Sequence, residues 1–251
     1  QLTDLHLFAD PGEQLKGVST RESLADVLET VRGTGLSFDH VLVTGDLTHD
    51  ERRETYEVVR ELLGEWLGCC RIVPGNHDDR ALMREVFPDC TEGEATSVRF
   101  SVAAGTWRLL GIDTHVPGEV AGRVSPGTLE WLEAELAAHA GDPTILFEHH
   151  PPAPIGCEWL DGIGLEDPGP LVDLLARSPQ VRVISCGHVH QAFRGRLGEA
   201  VLLTTPSTSV QFQPGTIEPI LDPLPPGFRV FTLEGDRWDT RVVRVPENGR
   251  Q

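Results

Sequence analysis

Val181-Arg182-Val183-Ile184-Ser185-Cys186-Gly187-His188-Val189-His190 decides how this chain is read. Its first six residues are apolar and β-branched enough for a short buried strand, Gly187 ends the run, and two imidazoles follow at alternate positions. In open α/β sheets ligands gather at the carboxyl ends of strands, so a strand that delivers histidines there is a functional signal. Four other segments share the arrangement. A strand over 40–44 and Gly45 precede Asp46, and a strand over 69–73 with Pro74-Gly75 precedes Asn76 and His77. A strand over 143–147 and Glu148 precede His149, while Asp4 and His6 follow what reads as the end of a first strand that begins upstream of Gln1.

Helical patterns lie between these strands. Ser19-x-x-Glu22 is a capping box, and Leu24, Val27, Leu28 and Val31 then recur on one face up to Gly33. Further helices are expected over 53–67, with Tyr56, Val59, Leu63 and Trp66 on one face, and over 80–87, 126–139 and 171–176. Strands over 97–102 and 107–113 form a hairpin. From about residue 200 to 251 the chain is β-rich and contains many prolines, ending in a hairpin of 228–233 and 237–245 around Glu234-Gly235-Asp236. The expectation is an α/β fold with mixed sheets, in a single domain over 1–251 without repeats or linkers.

Composition narrows the function. The 251 residues are 39% apolar and 24% charged, enough for a core, and 21 basic against 39 acidic residues give a net charge of −18. No apolar run approaches the roughly 18 residues of a membrane span. Lys16 is the only lysine, and the arginines are scattered among acids, which argues against nucleic acid or an anionic membrane as partner. Cys69, Cys70, Cys90, Cys157 and Cys186 are odd in number and form no C-x-x-C pair, so reduced thiols and a cytoplasmic protein are expected. Nothing in the sequence sets the oligomeric state.

Asp4, His6, Asp46, Asn76, His149, His188 and His190 offer two carboxylates, one amide oxygen and four imidazoles. Nitrogen and oxygen donors without thiolate suit Fe, Mn or Zn better than Ca or Mg. Seven donors exceed what one ion accepts. If Asp46 bridges, Asp4, His6, Asp46 and His190 hold one ion and Asp46, Asn76, His149 and His188 the other. Two such ions roughly 3.5–4 Å apart would clamp a phosphate and generate a hydroxide nucleophile near neutral pH.

Together Asp4-x-His6, Gly45-Asp46, Gly75-Asn76-His77-Asp78, His149-x-Pro151 and Gly187-His188-x-His190 resemble the calcineurin-like metallophosphoesterase superfamily. The resemblance covers nearly the whole chain. It implies a four-layer αββα sandwich of two mixed sheets flanked by helices, with the seven donors as metal ligands and His77 as an extra imidazole beside the phosphate. His-x-Pro spacing assigns the ligand to His149 and leaves His150 for the substrate, with Asn76 and His77. Narrower stretches are similar to bacterial class III 3′,5′-cyclic AMP phosphodiesterases. They are Thr3-Asp4-Leu5-His6-Leu7-Phe8, Gly156-Cys157-x-Trp159-Leu160-Asp161, Cys186-Gly187-His188-x-His190-Gln191, Thr205-Pro206-Ser207-Thr208-x-Val210-Gln211-Phe212 and Pro225-Pro226-Gly227-Phe228-Arg229.

That likeness implies hydrolysis of 3′,5′-cyclic AMP to 5′-AMP by attack of the hydroxide, with Asp46 and His77 as the catalytic pair and His77 protonating the departing O3′. Competing readings are a broader phosphodiesterase for 2′,3′-cyclic nucleotides, glycerophosphodiesters or phosphomonoesters, and a non-catalytic scaffold of the same fold. Asp50 and Asp78 are expected to orient imidazoles. Trp159 is weighed between purine stacking and a loop anchor, His115 between the site and a solvated loop, and His49 between a cleft wall and a helix start. The cysteines read as small buried apolar residues.

Overall fold

In the computed structural model, which describes residues 1–246, the alternating patterns become two sheets packed between two layers of helices. Residues 247–251 of the expected domain, and of its β-rich end, lie outside the described residues. The larger sheet has seven strands: β3 (Glu92–Glu94), β4 (Ser97–Ala104), β5 (Trp107–Gly111), β6 (Thr144–Phe147), β7 (Val181–Cys186), β8 (Phe193–Leu197) and β9 (Ala200–Thr204). Their order is β3-β4-β5-β6-β7-β9-β8, with β5, β6, β7 and β9 parallel and the edges antiparallel.

The smaller sheet is assembled around the first residues of the chain. β1 (Val41–Thr44) pairs in parallel with β2 (Cys70–Val73), and β12 (Gly227–Glu234) forms a hairpin with β13 (Arg237–Arg244). Between these pairs, Leu2 N donates to Leu42 O at 2.8 Å, Thr44 N to Leu2 O at 3.0 Å and Arg229 N to Gln1 O at 3.0 Å. A two-strand ribbon β10 (Gln211–Phe212) and β11 (Leu221–Asp222) stands apart.

Three packed interfaces follow from side-chain alternation along the strands. Ile145 and Phe147 of β6 join Leu42, Val73 and Val183 between the sheets, while Leu146 faces Leu132, Leu136, Leu171 and Leu174. Those leucines belong to α4 (Pro126–Ala138) and α5 (Gly169–Ala176), which cover the larger sheet. On the far side α1 (Thr20–Gly33), α2 (Arg53–Leu63) and α3 (Arg80–Val86) pack Leu24, Val27, Tyr56, Val59 and Met83 against Val43 and Ile72. This is the four-layer sandwich that the resemblance implied. Each fully buried aliphatic side chain contributes about 1.5–3 kcal/mol.

Local departures have local causes. The helix expected over 53–67 ends at Leu63, because Gly64 opens a 3₁₀ turn over Gly64–Cys69 and Trp66 leaves the helical face. β3 was invisible in the sequence, being three exposed residues, Glu-Gly-Glu, with no apolar alternation. Ser19 caps α1 as expected, its hydroxyl accepting from Glu22 N.

Glu148 conflicts with its surroundings. It is fully buried, neither carboxyl oxygen has a hydrogen-bond partner, and burial pushes its carboxyl from the usual 4.5 up to about 8. A carboxyl with a raised folded-state pKa favours folding most below its unfolded value, and that contribution is lost as pH rises towards the folded one. Glu148→Leu should therefore gain stability over the wild type by about 1.4 kcal/mol per pH unit between about 4.5 and 8. Denaturant melts of both proteins at pH 5 and pH 8 check this, and an equal difference at the two pH values counts against it.

Candidate functional site

Five chain segments end at the same edge of the sandwich. The first residues supply Asp4 and His6, the turn after β1 supplies Asp46, the turn after β2 supplies Asn76, β6 runs on into His149, and β7 into His188 and His190. The close approach depends on glycine. A Cβ at Gly75 would lie 2.1 Å from Asp46 Oδ1, and one at Gly187 would lie 2.0 Å from Thr3 Oγ1. Five donors hold left-handed backbone: Asp4 (φ 54°), His6 (50°), Asp46 (53°), His188 (69°) and His190 (51°). Each costs of order 1 kcal/mol or more, a strain that clusters where side chains must converge.

The side chains meet in two groups that share one carboxylate. His6 Nε2 lies 3.0 Å from His190 Nε2, and His190 Nε2 lies 3.4 Å from Asp4 Oδ1. His149 Nε2 is 3.2 Å and His188 Nδ1 3.0 Å from Asn76 Oδ1. Asp46 Oδ2 is 3.4 Å from both His6 Nε2 and His149 Nε2. Its other oxygen, Oδ1, accepts from the His77 backbone N at 2.9 Å, which fixes the carboxylate between the groups.

Ring orientation shows what the groups are built for. A carbonyl oxygen only accepts, so each ring nitrogen on a carbonyl carries the proton. His149 Nδ1 donates to Thr44 O at 2.7 Å, His188 Nε2 to Ile163 O at 2.9 Å and His190 Nδ1 to Val210 O at 2.8 Å. In each ring the other nitrogen is left as a lone pair facing the cluster, the arrangement of metal-ligating histidines. Burial pushes His6 well down against the pull of Asp46, and burial followed by the charge of His149 pushes His188 to about 4, so both are neutral, as ligands must be. For His149 burial is outweighed by Asp46, which raises it to about 9. A proton there satisfies the atoms that a cation would satisfy. Two fully buried carboxylates among inward lone pairs fit two divalent cations, and a buried charge needs such a partner.

Other residues frame the cluster. The His77 ring is half-buried, edge-on to His6 at 5.1 Å and stacked on His49 at 4.6 Å, so His49 belongs to the cleft wall. Its signal in sequence was only its place three residues after Asp46. His150 is fully buried with both nitrogens engaged, Nδ1 by Thr114 Oγ1 at 2.7 Å and Nε2 by Val120 O at 3.0 Å. No ring nitrogen of His150 is left for the expected substrate contact: the ring packs edge-on against His149 at 4.8 Å, and Thr114 and the Val120 carbonyl take both of its nitrogens.

Asp78 and Asp50 do not touch imidazoles. Asp78 accepts from Leu47 N, Gly75 N and Tyr56 Oη, tying the Asp46 and Asn76 turns together, and burial, followed by Asp46, raises its carboxyl to about 7. Asp50 holds Ala9 N and Thr55 Oγ1. Trp159 Nε1 is anchored on Thr216 Oγ1 at 3.3 Å and its ring meets Phe212 edge-on, the loop-anchor role. Ser207 and Ser209 hydroxyls both donate to Asp4 O, at 2.7 and 3.1 Å. A cavity of about 550 Å³ opens at the opposite end, lined by Leu2, Phe38, His40 and Phe231. It contains none of the seven donors, so donor convergence and not volume locates the site.

Comparison with known proteins agrees with this geometry. Residues 1–192 match the family described as calcineurin-like phosphoesterase. A 3′,5′-cyclic adenosine monophosphate phosphodiesterase, CpdA of Pseudomonas aeruginosa, is 39% identical over 98% of this chain and 89% of its own length. A glycerophosphodiester phosphodiesterase, GpdQ of Enterobacter lignolyticus, is 32% identical over 94% of this chain and 87% of its own length. In fold the chain is similar to a dimetal phosphatase from Danio rerio, with a TM-score of 0.64, 17% identity and coverage of 82% of this chain and 86% of that one. The chain belongs to the calcineurin-like phosphoesterase family.

Proposed function

We propose that this chain hydrolyses 3′,5′-cyclic AMP to 5′-AMP at a site for two divalent cations, drawn from iron, manganese and zinc. The observation that carries the dinuclear reading is Asp46 Oδ2, placed 3.4 Å from a ring nitrogen of each donor group. Asp4, His6, Asp46 and His190 are assigned to one cation, and Asp46, Asn76, His149 and His188 to the other. The substrate rests on the 39% identity to the cyclic AMP phosphodiesterase over nearly the whole chain. A non-catalytic scaffold would have no use for the full donor set together with His77. Five free cysteines support a reducing, cytoplasmic setting, and among the described residues no helix is long and apolar enough to cross a membrane.

Bound cations would neutralise phosphoryl charge and lower the pKa of the attacking water. The protein's own residues supply the rest. The attacking water gives one proton to solvent as its oxygen forms the new bond to phosphorus, the bond from phosphorus to O3′ breaks, and O3′ takes its proton from a His77 ring nitrogen at the cleft rim, which solvent protonates again. His49 stacks beneath His77 and fixes its plane. Asn76 Oδ1 faces the inward nitrogens of His149 and His188, where a cation would draw the three together, and the carboxylate of Asp46 is locked by the His77 backbone, so the acid and the shared ligand move as one unit.

Metal-reconstituted protein should turn over 3′,5′-cyclic AMP faster than 2′,3′-cyclic AMP or glycerophosphodiesters, and a chelator should abolish the activity. A preference for glycerophosphodiesters would transfer the substrate to the class named for the 32% relative. His77→Ala should lower kcat by about 10²–10⁴ with both cations retained. Full activity with both bound removes the acid role. Asp46→Asn should bind fewer than two cations per chain by elemental analysis, and unchanged occupancy would exclude a shared carboxylate.

A further inference from the structure

We infer that His115 is a substrate-contacting residue, forming the wall of the cleft on the Asn76, His149 and His188 side and donating a hydrogen bond to the nucleoside part of the substrate. The inference rests on the proposed reading of the site as a cyclic nucleotide hydrolase.

Placement comes first. β5 runs parallel to β6, and the residues after it, Ile112 to His115, lie alongside His149 and His150. Thr114 Oγ1 holds His150 Nδ1 at 2.7 Å, and the His150 ring lies 4.5 Å from that of His188. His115 therefore begins one residue beyond the layer that backs this half of the cluster. His77 and His49 pack beside His6, on the other half.

His115 is also held more firmly than a solvated loop residue requires. Arg80 grips Asp113 with a two-pronged contact at 2.6 and 3.1 Å, and its Nη2 donates to His115 O at 2.8 Å. Asp113 Oδ1 in turn accepts from His115 N at 2.9 Å. Both partners are sequestered, with side chains 13% and 3% exposed. Arg80 stands four residues after Asn76, so this fork ties the β5 end to the loop that carries a metal donor. Such buried two-pronged contacts fix orientation as well as position.

The ring itself is only partly exposed. Nδ1 is buried without a partner, so Nε2 is the nitrogen that a substrate can reach. Burial, followed by the charge of Arg80, pushes the imidazole down from its usual value, so the ring is neutral near pH 7. A neutral imidazole whose buried Nδ1 has no partner carries Nε2–H as its donor. With the phosphodiester at the cations and His77 beside O3′, this donor meets the part of the nucleotide that lies beyond the phosphorus.

The test measures kcat and KM of wild type, His115→Ala and His115→Gln on 3′,5′-cyclic AMP and on bis(p-nitrophenyl) phosphate, a diester without a nucleoside, with cation content matched. His115→Ala should raise KM for cyclic AMP about threefold to tenfold, lowering the ratio of kcat/KM for the nucleotide over the aryl diester by the same factor. His115→Gln, which keeps a donor, should recover most of that ratio. An unchanged ratio in His115→Ala overturns the inference, and so does an equal loss on both substrates, which would mean a phosphoryl or purely structural role. Wild type that cleaves the aryl diester but not cyclic AMP overturns the reading of the substrate, and the role of His115 with it. That outcome is read on wild type alone, so the two failures are distinct.

Discussion

The carboxylate of Asp46 is the constraint on which the rest of the site depends. Its Oδ1 is held by the His77 amide, and its Oδ2 stands equally far, 3.4 Å, from His6 and His149. Moving it by a few tenths of an ångström towards one ring would leave the other group short of a donor. This explains why so much of the neighbourhood fixes backbone instead of side chains. Asp78 clamps Leu47 N and Gly75 N on either side of Asp46, and Gly75 has no Cβ because Asp46 Oδ1 occupies that space. Strained backbone at five donors persists only because such contacts over-determine it.

The same logic gives the C-terminal third a job that its sequence did not announce. The run from Thr205 to Phe212 read as a marker of substrate class. In the fold it braces donors: two serine hydroxyls meet on Asp4 O, Thr208 N donates to Thr3 O, and Val210 O fixes the ring of His190. Phe212 then lies against that ring at 5.0 Å. A motif can therefore track a subfamily by holding one ligand at one angle, without touching the substrate.

All seven donors were legible because each stands a residue or a few beyond a strand, and in three cases glycine marks the turn. His49 and His115 were harder to read, since they stand five residues after β1 and four after β5 on ordinary-looking loops and only the packed structure shows what holds them. His150 and Asp78 depart from the sequence expectation for a common reason. Adjacency to a donor does not imply a share in its function: His150 packs beside His149 yet spends both nitrogens on Thr114 and Val120, and a buried carboxylate is as well used on backbone amides as on imidazoles. Helix and strand ends slipped wherever glycine or short exposed segments weakened the periodic signal, as at Gly64 and Glu92–Glu94.

A net charge of −18 and an anionic substrate look incompatible until the distance scale is considered. Surface charges beyond a Debye length of roughly 8 Å are largely screened, while two divalent ions inside a buried cluster act at contact range. Asp4 and Asp46 are the acids that belong to that cluster, and its four imidazoles, three of them with inward lone pairs, would add no charge of their own as ligands. Two cations against two carboxylates leave a local excess of two positive charges where the phosphate must sit. The distant acids then disfavour long polyanions that would have to lie along the surface, and leave the small monoanionic diester proposed as substrate free to reach the site of the two cations.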